Sequence, residues 1–333
     1  MTRVGIVGVG AVGARLARQL VSTDVDEVVL RDESLNRAEL VARSLGDAAT
    51  VDTGDLTEPL DADVVVLAGP GRVQSGQAAV FLRAGQHVVS TSDDIDDVRA
   101  LLALDHEARE RGVHLVVGAG FAPGLSCVLA AHAASRFEQV EELHVAKSGT
   151  GGPACARQHH RAVGRGAIDW REGGWEHRPG GSGRELCWFP DPIGAQDCYR
   201  GALPDALVLV PAFPGIRRVT ARVSATRRDR LTARLPMLWP THPEGGPGAV
   251  RVELRGQRGD TNDVVVLGAM DRPAVAAGAV AAVAVQTVVS GGLRRTGAGG
   301  LAELAEPLPF LTELARRGVR AAVFEGALSP SGL

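Results

Sequence analysis

Residues 4–13 read Val-Gly-Ile-Val-Gly-Val-Gly-Ala-Val-Gly, an apolar strand that runs into glycines spaced as Gly8, Gly10 and Gly13 and then into a helix-patterned stretch over 14–21. The three glycines have separate mechanical roles: Gly8 permits a tight turn, Gly10 lets backbone amides approach a pyrophosphate, and Gly13 lets helix and strand pack closely. Ala11 and Val12 lie between them, where the phosphate of a dinucleotide rests on the helix N-terminus. A second apolar strand over 27–30 ends near Asp32, 19 residues beyond Gly13 (32 − 13). A carboxylate there accepts hydrogen bonds from the adenosine ribose and repels a 2′-phosphate, which favours NAD over NADP. Glu33 adds to that repulsion, while Arg31 offers a guanidinium that a 2′-phosphate can use, so NADP stays open.

Outward from this turn, strand and helix patterns alternate. Short apolar strands at 28–30, 63–68, 87–90 and 114–117 are separated by helical stretches at 36–45, 74–84 and 98–111. Such alternation predicts a doubly wound parallel sheet of the Rossmann kind. Gly69 and Pro70 close the strand at 63–68 on the carboxyl edge, where the cofactor crevice belongs, and are expected beside the nicotinamide ribose. From about residue 140 the texture changes to alternating apolar and polar residues at 142–147, 207–210, 218–224, 249–254 and 263–267. These predict a mostly antiparallel or mixed sheet, with 255–261 as a hairpin loop. Helices at 273–290 and 310–317 and a short strand at 320–324 follow. The expected division is a dinucleotide-binding unit over 1–125, an α+β unit for substrate and subunit contact over 126–290, and a C-terminal segment over 291–333 that returns to the first unit. The fold class is thus α/β, a Rossmann unit joined to an α+β unit.

The chain has 333 residues, 45% of them apolar, enough for two domains with real cores. A net charge of −3 lacks the basic stripe that nucleic-acid binding needs, and the arginines at 227–234 read as a solvated surface. Cys127, Cys155, Cys187 and Cys198 form no Cys-x-x-Cys pair, so neither a zinc knuckle nor a disulfide framework is expected. A reducing cytoplasm fits, and the start of the sequence carries no secretory leader. The longest apolar run, 274–285, is too short to span a bilayer and reads as a helix buried against a sheet.

A second motif lies at 117–127, Val-Gly-Ala-Gly-Phe-Ala-Pro-Gly-Leu-Ser-Cys. Here the sequence resembles the saccharopine dehydrogenase-like oxidoreductases, including lysine 6-dehydrogenases and carboxynorspermidine dehydrogenases, which carry Gly-x-x-Pro-Gly-(Leu or Met)-(Ser or Thr)-Asn at this junction. The matching residues are Gly120, Pro123, Gly124, Leu125 and Ser126, and Cys127 stands where asparagine is usual. The resemblance covers the nucleotide unit and this junction, and extends more weakly to 310–319. It implies that Gly124, Leu125 and Ser126 lie near the nicotinamide and an amino-acid substrate. Physically, Pro123 and Gly124 open a helix whose amides face the carboxyl edge of the sheet.

Substrate chemistry is expected in the middle segment. Lys147 is the chain's only lysine. An amine can lose its proton on desolvation or serve as a compact proton donor, which guanidinium cannot. Lys147 ends a predicted strand before the Gly-rich stretch 148–153, so it suits a general acid or a carboxylate anchor. His159 and His160 follow on a helical run over 154–163. Adjacent positions point about 100° apart, so one imidazole faces the cleft and no metal pair forms. Histidine suits the proton transfer that accompanies hydride transfer. Arg161 and Arg165 are one turn apart and offer bidentate contacts to a substrate carboxylate. Trp170, Trp175, Trp188 and Phe189 suggest a pocket wall, a dimer contact or core packing. Tyr199, the only tyrosine, offers a hydroxyl as acid or orienter.

These residues lead to an oxidoreductase using NAD, or NADP, on the carbon–nitrogen bond of an amino acid or imine. The amine class comes from the resemblance. Lys147, His159, His160 or Tyr199 would move the proton, Ser126, Arg161 and Arg165 would hold substrate, and two copies would pair through the second sheet. Two alternatives stand beside this reading: oxidation of an alcohol or reduction of an aldehyde on the same scaffold, and a dinucleotide-sensing protein without turnover. No nucleophilic serine–histidine–acid arrangement supports covalent hydrolysis.

Overall fold

A computed structural model describes residues 2–237 and 241–323. The chain runs β1 (Arg3–Val7), α1 (Gly13–Leu20), β2 (Glu27–Arg31), α2 (Leu35–Leu45), β3 (Ala49–Val51), β4 (Val64–Leu67), α3 (Gln74–Arg83), β5 (His87–Ser90), α4 (Ile95–Leu102), α5 (Asp105–Glu110), β6 (His114–Val116) and α6 (Leu125–Ala134). It continues β7 (Gln139–Ser148), α7 (Pro153–Gly164), β8 (Ala167–Arg171), β9 (Gly174–Arg178), β10 (Glu185–Trp188), β11 (Ala195–Arg200), α8 (Asp205–Leu209), β12 (Arg218–Ser224), α9 (Arg227–Thr232), β13 (Gly248–Arg258) and β14 (Thr261–Asp271). Last come α10 (Pro273–Val289), β15 (Gly297–Gly299), α11 (Leu301–Leu304), α12 (Pro307–Arg316) and β16 (Ala321–Val323).

Seven parallel strands form the first sheet in the order β15-β6-β5-β4-β1-β2-β3. Val4, Ile6, Val65, Val66, Val88, Val89, Leu115 and Val116 are fully buried, as strands covered by helices on both faces must be. The Ala- and Val-rich α10 is buried nearly all round and packs on α1, β4 and β5. Gly278 permits that crossing, since a Cβ there would lie 3.0 Å from the Leu16 amide nitrogen.

The second sheet is mixed, in the order β10-β11-β12-β7-β13-β14-β16, with the β8–β9 hairpin attached to β12. Its central strand β7 lies parallel to β12 and antiparallel to β13. Leu143, Val145, Val219, Val223, Val250, Val252 and Leu254 are buried on one face, where α6 packs on β7, β13 and β14. Alternation along β7 puts Lys147 on the same face as Leu143 and Val145, at the end of the strand that meets the first sheet. No helix among the described residues is long and apolar enough to cross a membrane.

The α/β expectation matches this architecture, and four local expectations do not. Residues 207–210 belong to α8 and a 3-10 turn, Val210–Ala212, instead of a strand. Four apolar residues carry no period, and Pro204 and Pro211 favour helical starts over a ladder. The hairpin loop expected at 255–261 shrinks to Gly259 and Asp260, because β13 and β14 pair through Arg258 and Thr261. The helix expected at 98–111 is two helices. The Asp94 carboxylate starts the first at Ile95 by accepting from the Asp96 and Asp97 amides at 3.0 and 3.2 Å. The C-terminal segment goes to both units: Gly297–Gly299 joins the first sheet beside β6, whereas Ala321–Val323 pairs with β14 of the second. Phe324, the expected end of that strand, lies outside the described residues.

Candidate functional site

A crevice of about 780 Å³ lies at the carboxyl edge of the first sheet and is closed on its far side by the second unit. Gly8, Gly10, Ala11, Val12, Asp32, Gly69 and Pro70 line it. Gly8 has φ 96° and lies so close to Gly69 that a Cβ would come within 2.5 Å of the Gly69 nitrogen. A Cβ on Gly13 would come within 2.0 Å of the Gly8 carbonyl, whereas one on Gly10 would meet no atom within 4 Å. Gly8 and Gly13 are therefore required by the fold, and the space above Gly10 is a cradle that a side chain would fill. This fits the diphosphate of a dinucleotide.

At the end of β2, beside the glycine turn, lies Asp32. Its carboxylate accepts from the Val9 amide at 2.6 Å and the Ser34 amide at 2.8 Å, and Arg37 lies 3.3 Å away. Arg31 is not available to a 2′-phosphate. It is buried and bound to Asp52 at 2.7 Å and to the carbonyls of Asp55 and Glu58. The cation beside Asp32 is Arg37, which sequence reasoning passed over although it lies in the first turn of α2. Leu40, Leu56, Val73 and Gln77 line the crevice beyond and offer an apolar slot of the kind a base takes.

Across from the glycine turn lies the second group of side chains. Lys147 is buried and donates to the Ala122 carbonyl at 3.0 Å. Its Nζ lies 3.9 Å from Asp93 Oδ2, and Asp93 also lies 3.9 Å from the Cys155 thiol. Burial pushes the Asp93 carboxyl above the usual carboxylate range, opposed by the Lys147 charge. Burial and the Asp93 charge push the Cys155 thiol up to about 11. Asp93 was not found from sequence. The available signal was its place just after β5, at the carboxyl edge where such crevices lie.

His159 and Arg161 line the same wall. His159 donates from Nε2 to the Ser224 carbonyl at 2.9 Å, and burial with the Lys147 charge lowers its pKa to about 4. It is therefore a neutral imidazole at pH 7 and cannot be an acid there. Arg161 donates to the Gln158 side chain at 2.9 Å and keeps further donors for a ligand.

Of the residues expected to move a proton or hold substrate, four lie outside this lining, and of those expected to touch the cofactor, Gly13 and Gly124 do. His160 turns to the other side of α7 and donates to the carbonyls of Thr232 and Leu235. Arg165 is bound to Asp96 and lies 3.7 Å from Asp94, tying α7 to α4. Tyr199 is buried on β11 beneath the Arg230 guanidinium, 4.2 Å above its ring. Ser126 is fully buried and donates to Asp205 Oδ1 at 2.8 Å. Gly124 supports the site from behind: with φ 131°, its Cβ position falls 2.0 Å from the Gly120 carbonyl, so the two glycines of the second motif pack backbone on backbone. The Cys127 thiol, in the place usual for asparagine, is buried and pushed up to about 12. Trp170 and Trp175 pack edge to face, with Trp170 donating to Ile216, while Phe189 is buried in a separate small cluster.

Residues 3–94 match the family described as NADP oxidoreductase, coenzyme F420-dependent. Over nearly the whole chain the structure is similar to saccharopine dehydrogenase (L-Glu forming) from Saccharomyces cerevisiae, with a TM-score of 0.71, 15% identity, and 97% of this chain and 100% of that one covered. It is also similar to an amine dehydrogenase from Mycobacterium smegmatis, with a TM-score of 0.53, 14% identity and coverage of 92% and 96%. An engineered D-amino acid dehydrogenase bound to NADP+ gives a TM-score of 0.50, 17% identity and coverage of 94% and 95%. The chain has the saccharopine dehydrogenase-like NAD(P) oxidoreductase fold.

Proposed function

We propose that this protein is an NAD(P)-dependent dehydrogenase or reductase acting on the carbon–nitrogen bond of an amino acid or the corresponding imine, with NAD preferred. The observation that carries the proposal is the meeting of Lys147 and Asp93, 3.9 Å apart, on the wall opposite a glycine cradle. Bound nicotinamide supplies a hydride carrier. The chain supplies the rest. Gly10, Ala11 and Val12 seat the diphosphate, and Asp32 accepts from the ribose hydroxyls. An ammonium substrate must lose a proton before its carbon gives up hydride. Asp93 and Lys147 are the pair that takes and holds that proton, with neutral His159 beside them. Arg161 holds a carboxylate through its remaining donors. The amino-acid and amine neighbours support the substrate class, which this chain's acid–amine pair suits better than a neutral alcohol.

The same proposal includes a cytoplasmic location, consistent with four free thiols. It also includes pairing of two copies through the second sheet, whose edge strand β10 exposes Leu186 and Trp188.

The test joins cofactor titration to a substrate panel. Intrinsic fluorescence should report tighter binding of NADH than NADPH, and Asp32→Ala should narrow the difference by removing both ribose bonds and 2′-phosphate repulsion. Amino acids should then produce reduced-nicotinamide absorbance. Turnover of alcohols alone, or tight binding with no turnover on any amine, alcohol or carbonyl compound, defeats the proposal.

A further inference from the structure

The second unit lays residues 241–247 across the glycine turn of the first. Gly245 packs so close to the Thr150 carbonyl that a Cβ would overlap it, and the Cβ position of Gly152 lies 3.0 Å from both the Pro243 carbonyl and Ala11. Between these contacts Glu244 reaches the crevice wall, with Oε2 3.2 Å from Arg15 and 3.4 Å from Arg272. Arg15 stands in the first turn of α1 and donates to the Ala11 carbonyl at 2.8 Å. Its guanidinium therefore runs along the rim of the cradle, and both Arg15 and Glu244 line the crevice.

A carboxylate at this place has no use in holding an anion. It neutralises a cation at the rim of the phosphate cradle, and its own charge repels the phosphates. We infer that Glu244 is a built-in competitor for Arg15: an incoming diphosphate takes the guanidinium, and Glu244 stays with Arg272. This rests on the dinucleotide reading above. Glu244 is the half that moves, because its side chain is 52% exposed against 17% for Arg15, which the Ala11 carbonyl holds in place. An ion pair with one exposed partner is weak enough for a diphosphate to displace. Glu244 thus sets affinity for the diphosphate part of the ligand and leaves the base and ribose contacts alone.

The test is calorimetry on the full chain with three probes: NADH, ADP-ribose, and adenosine, which lacks the diphosphate. Glu244→Gln should bind NADH and ADP-ribose about threefold to tenfold more tightly, within the range of one lost charge contact near a surface. Adenosine affinity should not change. Arg15→Met should weaken NADH and ADP-ribose by about tenfold, the scale of one charge-assisted contact to phosphate. On that background Glu244→Gln should lose most of its effect, because the two share one interaction. Unchanged or weaker binding by Glu244→Gln, or an equal change with adenosine, overturns the inference while the dinucleotide reading survives. Failure of wild type and Glu244→Gln alike to bind NADH or ADP-ribose overturns both.

Discussion

The two walls of the crevice are built from different materials. The wall toward α1 is backbone and small residues: Gly8, Gly10, Ala11, Val12 and Gly69 shape it, and its chemistry is that of amides at a helix start. The opposite wall is built from side chains on three separate elements, with Asp93 after β5, Lys147 at the end of β7, and His159 and Arg161 on α7. In the proposed reading the first wall takes the part common to all dinucleotides and the second faces the substrate. The second carries charge, and its groups tune one another: Lys147 adds to the burial that lowers the His159 imidazole and opposes the burial that raises Asp93.

If the walls are separable in this way, a substitution on one should leave the other's readout intact. The largest effect is expected from Gly10→Val. The fold leaves open space at that Cβ position, so circular dichroism should be unchanged while dinucleotide binding falls beyond detection by calorimetry. Binding retained by a folded variant would put the nucleotide elsewhere. On the other wall, Lys147→Met should keep cofactor affinity and lower turnover by about 10²-fold, the usual scale of a lost acid–base group. Lys147→Arg separates the two roles. Little rescue means that the amine handles the proton, since guanidinium stays charged. Substantial rescue, with the defect confined to KM, means that the cation anchors a carboxylate.

The smallest effect concerns a carboxyl packed behind the side-chain wall. Asp205 is fully buried, accepts from Ser126 through one oxygen, and is raised by burial. A carboxyl raised in the folded state favours folding at low pH and loses that advantage as pH rises through its folded value. Asp205→Asn should therefore raise Tm by about 1–2 °C at pH 8, the scale of about 1 kcal/mol in a chain of this length, and the gain should disappear on acidification. A variant less stable than wild type at pH 8 would show that the Lys147 charge holds Asp205 ionised to the protein's benefit.

The difference between the walls also explains what could be read in the sequence. The glycine turn was legible because spacing along one short segment sets its geometry, and the alternating elements behind it follow from periodicity. Lys147 stood out by its solitude among arginines. The rest required side-chain direction. His159 and His160 are neighbours in sequence, yet only the first faces the crevice, and α7's rotation about its axis is set by packing against α9. Tyr199 and Arg165 have suitable chemistry, but sheet register and an ion pair to α4 turn them elsewhere. Asp93 sits in a Thr-Ser-Asp-Asp run that reads as an exposed turn; its partner Lys147 lies on a strand more than 50 residues later. Arg31 and Arg37 illustrate the same limit, since Asp52 and the carbonyls of Asp55 and Glu58 hold the arginine adjacent to the acid in the interior and leave the one on α2 beside it.

The packing of α10 on α1, and of β15 beside β6, ties the beginning of the chain to its last quarter. During synthesis, which proceeds from the N-terminus at a pace that lets early segments begin to fold, β1 to β6 emerge without either partner. Leu16 and Ala17 on α1 then lack the cover of α10 until residues 273–289 have left the ribosome. The nucleotide wall, though encoded first, is thus among the last parts of the molecule to acquire its native neighbours. A nascent chain halted within β13 would present an unfinished sheet edge and the uncovered apolar face of α1, both recognisable to chaperones.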